Sequence, residues 1–340
     1  MTKSAKILQL RSPYLIFVGD QEDETYIKTG LGLAYWCPDR VAGQLRLRPD
    51  AVGLDVPDMD LETARKAGVQ SLVVGVAPVG GGISAEWWEL FIQAAELGMD
   101  IVSGLHIRLS ENDALRAAAQ KSGASLIDIR VPPKNIPVGT GRKRSGRRVL
   151  MVGTDCAVGK KYSALALHAA LLAAGVKATF RATGQTGIMI AGEGMPIDAV
   201  VADFVSGAAE LVSPDNEAGH WDVIEGQGSV LHPGYAAVSL GLLHGSQPDA
   251  IVVCHDASRT AISGWEHYAV PGISECIDLH LRLGSLTNPA IRCVGVSVNT
   301  SGLPMDERQS YLAQVAEETG LPCVDPLVDG CAQIAKLLSD

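Results

Sequence analysis

The stretch RVLMVGTDCAVGKKYSALALHAALLAA, residues 148–174, constrains this chain more than any other. An apolar run over 149–152 reads as a buried strand, the loop GTDCAVGKK fills 153–161, and alanine and leucine dominate 163–174 as in a helix. Strand, glycine loop and helix in that order build a phosphate cradle in a parallel sheet. Gly153 and Gly159 can take backbone angles closed to other residues. They let the main chain of Thr154, Asp155, Cys156, Ala157 and Val158 approach an anion at the positive end of the helix. Lys160 adds a full charge. The loop has one residue more between its glycines than GxxxxGK[ST], and Lys161 stands where the magnesium-binding hydroxyl would be. Transfer of a γ-phosphate uses Mg²⁺ held through that hydroxyl, whereas anchoring a diphosphate can use a second ammonium. The expectation is anion binding with no metal required.

At 340 residues the chain is long enough for about two domains of roughly 150 residues each. Apolar residues at 47% and charged residues at 19% describe a soluble globular protein. A net charge of −10 disfavours nucleic acid and anionic membrane as partners, so a polyanionic ligand must meet locally concentrated positive charge. No run approaches the length of a membrane span, and the first residues lack the apolar core of a signal peptide. Seven cysteines without a C-x-x-C pair fit a reducing compartment and argue against a structural zinc site. A cytoplasmic homo-oligomer is expected. Cys156 reads as a small packing residue rather than a reactive thiol.

Apolar strands alternate with helical stretches throughout. Strands are expected at 14–18, 72–76, 100–103 and 125–129, with helices at 25–36, 85–97 and 111–122 between them. Beyond the cradle, strands are expected at 177–180, 221–224, 250–254 and 291–298, and helices at 234–243 and 306–319. Repeated βα units with continuous apolar strands mean parallel sheets covered on both faces. The fold class is therefore α/β: two doubly wound parallel-sheet domains, Rossmann-like over 1–137 and P-loop NTPase-like over 148–340. Residues 138–147, rich in glycine and basic side chains, read as a linker. Gly80 to Gly82 lack G-x-G-x-x-G spacing and read as a flexible loop. His106 is either a ligand contact or a structural histidine.

In such sheets ligands bind at the carboxyl ends of the strands. Three loops are expected to meet there: 153–161, 181–187 and 225–229. With no hydroxyl after Lys160, a carboxylate in this crevice is better suited to moving a proton than to holding magnesium, which makes Glu225 the first candidate base and Asp155 the second. Arg181 has the fork geometry to read a substrate carboxylate and follows a strand expected to neighbour the cradle strand.

Two resemblances attach to these residues. The loop GTDCAVGKK, with RATG at 181–184 and VIEGQG at 223–228, looks like the loop set of dethiobiotin synthetase, although that family ends its loop in Lys-Thr. Over nearly the whole chain the sequence more closely resembles the DgcN-type D-glutamate N-acetyltransferases, once catalogued only as a domain of unknown function. The carrying stretches are KTGLGLAYWCPD (28–39), GVAPVGGG (75–82), GTDCAVGKK (153–161), residues 181–193, GQGS (226–229) and GLLHGSQP (241–248). This resemblance implies a Rossmann-like domain, a P-loop domain, and acetyl transfer from acetyl-CoA to the amine of D-glutamate. It implies that the loop from Gly153 to Lys161 cradles the phosphates of acetyl-CoA. Arg181, Arg40 or Arg259 would then hold the carboxylates of the acceptor, with Gln185 and Thr186 also in its binding site. The alternatives are an ATP-dependent ligase or kinase like dethiobiotin synthetase, and a non-enzymatic CoA- or nucleotide-binding protein.

Overall fold

Continuous apolar strands separated by helices fold the chain into two compact units. A computed structural model describes residues 7–76, 82–105 and 107–339. The first unit comprises Leu8–Pro132 and Gln185–Pro196, the second Pro133–Gly184 and Ile197–Asp340.

The first unit runs β1 (Leu8–Gln9), β2 (Tyr14–Gly19), α1 (Lys28–Trp36), β3 (Val41–Arg46), α2 (Leu61–Lys66), β4 (Ser71–Val74), α3 (Ala85–Glu96), β5 (Asp100–Ser103), α4 (Asp113–Ser122) and β6 (Leu126–Asp128). Its parallel sheet has the order β3-β2-β4-β5-β6. Strands β2, β4 and β5 are buried along their whole length, as helices on both faces require. Helices α2, α3 and α4 begin where Asp60, Ser84 and Asn112 accept the N–H groups of Thr63, Trp87 and Leu115. Each such cap contributes about 1 kcal/mol. Phe17 of β2 packs edge-on against Trp87 and Phe91 of α3, with ring centroids 4.9 and 5.1 Å away. Strand β3 was not expected, because VAGQLR carries no apolar run; it is the sheet edge, where one is not needed. The expected positions of Gly80 and His106 lie outside the described residues.

The second unit opens with β7 (Arg147–Gly153), α5 (Lys160–Ala173) and β8 (Ala178–Arg181). The chain then enters the first unit, adding α6 (Gln185–Ala191) against α1 and β9 (Glu193–Gly194) antiparallel to β1. Back in the second unit follow α7 (Val205–Val212), β10 (Trp221–Ile224), α8 (Ala236–Ser246), β11 (Ala250–Asp256), the hairpin β12 (Ala261–Ile262) and β13 (Trp265–Ala269), α9 (Ile273–Gly284), β14 (Arg292–Asn299), α10 (Arg308–Thr319), β15 (Cys323–Val324) and α11 (Ala332–Ser339). The sheet is parallel, in the order β15-β14-β11-β7-β10-β8. The cradle strand β7 is thus central, and its neighbours are β10 and β11.

Two expectations change here. The strand carrying Arg181 pairs with β10 and not with the cradle strand. The basic stretch 138–147 is packed into the second unit rather than strung out as a linker. Arg144, 7% exposed, donates to the carbonyls of Ser213 and Gly245 at the ends of α7 and α8. Fully buried Arg148 donates to Ser145 and Pro214 carbonyls. Helix carboxyl ends leave unpaired carbonyls that cations satisfy. Desolvation pulls Arg144 down to about 10. Among the described residues no helix is long and apolar enough to cross a membrane.

Candidate active site

The cradle is built from inside outward. A side chain at Gly153 would press on Val158 and on the Cys254 carbonyl, so only glycine lets β7 turn beside β11. Thr154 is fully buried; its hydroxyl meets His255 Nδ1 at 3.0 Å and its N–H donates to Cys254. Ala157 and Gly159 take the left-handed conformation, with φ of 53° and 99°. Gly159 precedes α5, whose first N–H groups have no side-chain cap and no acidic residue in the first turn. Lys160, 7% exposed, donates from Nζ to the Asp155 carbonyl at 2.7 Å. The Lys161 ammonium lies 4.5 Å above the Tyr162 ring. Gly153, Thr154 and Val158 shape the loop, whereas Cys156, Ala157, Gly159, Lys160 and Lys161 line a crevice of about 430 Å³.

Across that crevice stands Glu225, at the end of β10 and 4% exposed. Its Oε2 accepts the N–H groups of Thr183 and Gly184, both at 3.0 Å, and the Thr183 hydroxyl donates to its carbonyl. No donor among the described residues reaches Oε1. Gly226, next in sequence, has no room for a Cβ, which would overlap the Met151 carbonyl. Close packing at this turn is what sets the carboxylate in place. Burial raises the Glu225 pKa; the two N–H bonds and Lys161 oppose the rise, and Asp198 reinforces it. Burial likewise lowers both Lys160 and Lys161. The crevice thus holds two ammonium groups and two carboxyl groups, Glu225 and Asp198.

Other expected residues are used differently. Asp155 is fully buried and saturated: Oδ1 accepts the Cys156 N–H at 2.6 Å, while Oδ2 accepts from Arg259 at 2.8 Å and from the Ser263 N–H at 2.9 Å. A carboxylate so occupied braces the loop and is badly placed to take a proton. Arg259 also donates to the Cys156 carbonyl and lies 3.8 Å from Asp256, so it clamps the cradle rather than standing open to an acceptor. Arg181 turns to buried Asp222, Nε to Oδ1 at 2.8 Å, which pairs it inside the sheet. Arg40, Gln185 and Thr186 fold into the first unit: Arg40 lies against Gly192, Gln185 against Gly104 and Thr186 against Gly32. The crevice therefore brings together the loop, Glu225 and Asp198, and the three arginines are not among its lining.

Sequence reasoning missed Asp198 and His232. Asp198 belongs to no motif and follows only the two-residue strand β9, so no strand-end signal could mark it. His232, 1% exposed, sits among the rings of Tyr235 and Trp265, each centroid 4.6 Å away. With Asp155 and Cys156 it forms a group of three potential metal donors whose atoms lie within 4.8 Å of one another. His232 Nδ1 accepts the Gly234 N–H at 3.0 Å, which leaves the proton of a neutral ring on Nε2, 3.7 Å from Asp155. Nε2 is buried with no hydrogen-bond partner among the described residues.

A described family model for a P-loop domain, the C-terminal part of DUF1611, a domain of unknown function, matches residues 137–335. The corresponding Rossmann-like N-terminal model matches residues 45–132. A D-glutamate N-acetyltransferase of Tritonibacter scottomollicae is 46% identical over 97% of this chain and 99% of its own. A D-glutamate N-acetyltransferase of a Pseudoalteromonas species is 45% identical over 96% of this chain and 98% of its own. A crystal structure of a DUF1611 family protein from Anabaena variabilis superposes with a TM-score of 0.79 at 33% identity, covering 96% of this chain and 99% of that one.

Proposed function

The chain belongs to the DUF1611 family, with its Rossmann-like and P-loop domains, and from that premise we propose that acetyl-CoA is its acyl donor and Glu225 its base. Its activity is N-acetyl transfer to D-glutamate. The observation that carries the assignment of the base is the Glu225 carboxyl group: one oxygen is fixed by two N–H groups, and the residue lines the crevice.

An α-ammonium is almost fully protonated at neutral pH and cannot attack a thioester. In the proposed mechanism Glu225 Oε1 accepts a proton from the ammonium nitrogen, and the freed lone pair bonds to the thioester carbonyl carbon. N–H donors steady the oxyanion. The carbon–sulfur bond then breaks, the CoA thiolate takes up a proton as the amide nitrogen sheds its second one, and the proton on Glu225 passes to solvent. The products are the amide, CoA thiol and one proton. Pinning Oε2 fixes the direction in which Oε1 points, so the base needs little reorganisation.

We place the enzyme in the cytoplasm, where its seven unpaired cysteines stay reduced, and infer a homo-oligomer. The net charge of −10 supports small-molecule partners rather than nucleic acid or membrane.

Glu225→Gln keeps the shape and hydrogen-bonding capacity of the side chain and removes proton acceptance. We expect kcat to fall at least about a hundredfold, with acetyl-CoA affinity unchanged by calorimetry. A kcat within a few-fold of the parent, together with a large loss in Asp155→Asn, would assign the base to the loop aspartate.

A further inference from the structure

We propose that the anion cradle between Lys160 and Lys161 receives the carboxylates of the amino-acid acceptor, not the diphosphate of CoA. The inference rests on the reading of Glu225 as the base and extends it to the substrate.

Position comes first. Glu225 and the cradle line one crevice. In acetyl-CoA the whole pantetheine arm separates the thioester from the diphosphate. A base that serves the reacting amine therefore sits beside the acceptor, and a diphosphate in the same crevice would put the thioester elsewhere.

Charge gives an independent argument. A diphosphate in the cradle would share the crevice with the buried Glu225 carboxyl group. An amino dicarboxylate carries two negative groups and one positive group. The two carboxylates match the ammonium groups of Lys160 and Lys161 and the uncapped N–H groups of α5, and its ammonium matches the Glu225 carboxyl group in the same crevice. The same placement leaves the ammonium in the crevice that Glu225 lines. Lys161, in place of a metal-binding hydroxyl, then recognises the second carboxylate of a dicarboxylic acceptor.

The test uses the full-length enzyme and steady-state kinetics. Lys161→Met should raise the KM for D-glutamate about tenfold or more and leave that for acetyl-CoA within about twofold, as loss of one charged hydrogen bond implies. Glutarate, a dicarboxylate without an amine, should compete with D-glutamate, and inorganic pyrophosphate should not. A rise confined to the acetyl-CoA KM, or competition by pyrophosphate against acetyl-CoA that Lys161→Met abolishes, would overturn the proposal and return the cradle to the donor. If Lys161→Met does not fold, the glutarate and pyrophosphate competitions on the parent enzyme decide between the two outcomes. Should the parent acetylate no D-glutamate, the functional reading fails. Calorimetric glutarate binding, lost in Lys161→Met, would still support the cradle assignment, and its absence would refute it.

Discussion

Burial of Glu225 links catalysis to stability. Its pKa is raised in the folded protein, so the folded state holds its proton more tightly than the unfolded chain does. The stability this group contributes is present below its unfolded pKa and is lost as pH rises through its raised folded value. Catalysis runs in the opposite sense, because the base works only when ionised. The rate should therefore rise with pH through a pKa above the usual carboxylate range. Glu225→Gln should gain Tm relative to the parent as pH rises over the same interval. Thermal unfolding at several pH values checks this, and a Tm difference independent of pH would contradict it. The place of Glu225 was legible because a strand end followed by Gly-Gln-Gly opens onto the crevice of a parallel sheet. The occupation of Asp155, Arg181 and Arg259 was not. Each is set by a partner more than forty residues away, Arg259, Asp222 and Asp155 respectively, and sequence spacing carries no trace of such pairs.

At the scale of elements, the strands with continuous apolar runs were readable, and β5 and β10 fall where expected to the residue. Burial on both faces imposes a composition that local reading detects. Edge strand β3 lacks that imprint. Helix α6 was read as part of a loop, since Arg181 to Gly187 carries turn residues and its helical half gains its support from α1. The glycine turn after β10 is the element on which the site depends most. Gly226→Ala would drive a methyl group into the Met151 carbonyl and towards Lys160, and should cost about 1–3 kcal/mol or more in chemical denaturation. Gly219→Ala, with open space around it, should change stability by no more than about 0.5 kcal/mol. Equal effects of the two substitutions would mean that the close approach is not what fixes the turn.

At the scale of the whole molecule, the chain departs from the second unit at Gly184 and returns at Ile197, and both junctions adjoin the crevice. Gly184 donates to Glu225, and Asp198 lines the crevice beside it. A simple cut of the sequence into halves hides this, because the intervening residues complete the first unit. The two-sheet α/β class was readable from strand and helix alternation alone; the acceptor was not, since neither composition nor spacing encodes an amino acid's identity. The most direct test of the central claim is to incubate the full-length protein with acetyl-CoA and a panel of D- and L-amino acids, measuring free thiol and acetylated product together. Equal amounts of CoA thiol and N-acetyl-D-glutamate are expected without added nucleotide. Turnover that appears only with ATP and magnesium, or tight CoA binding with no acetylated product for any amino acid, would contradict it.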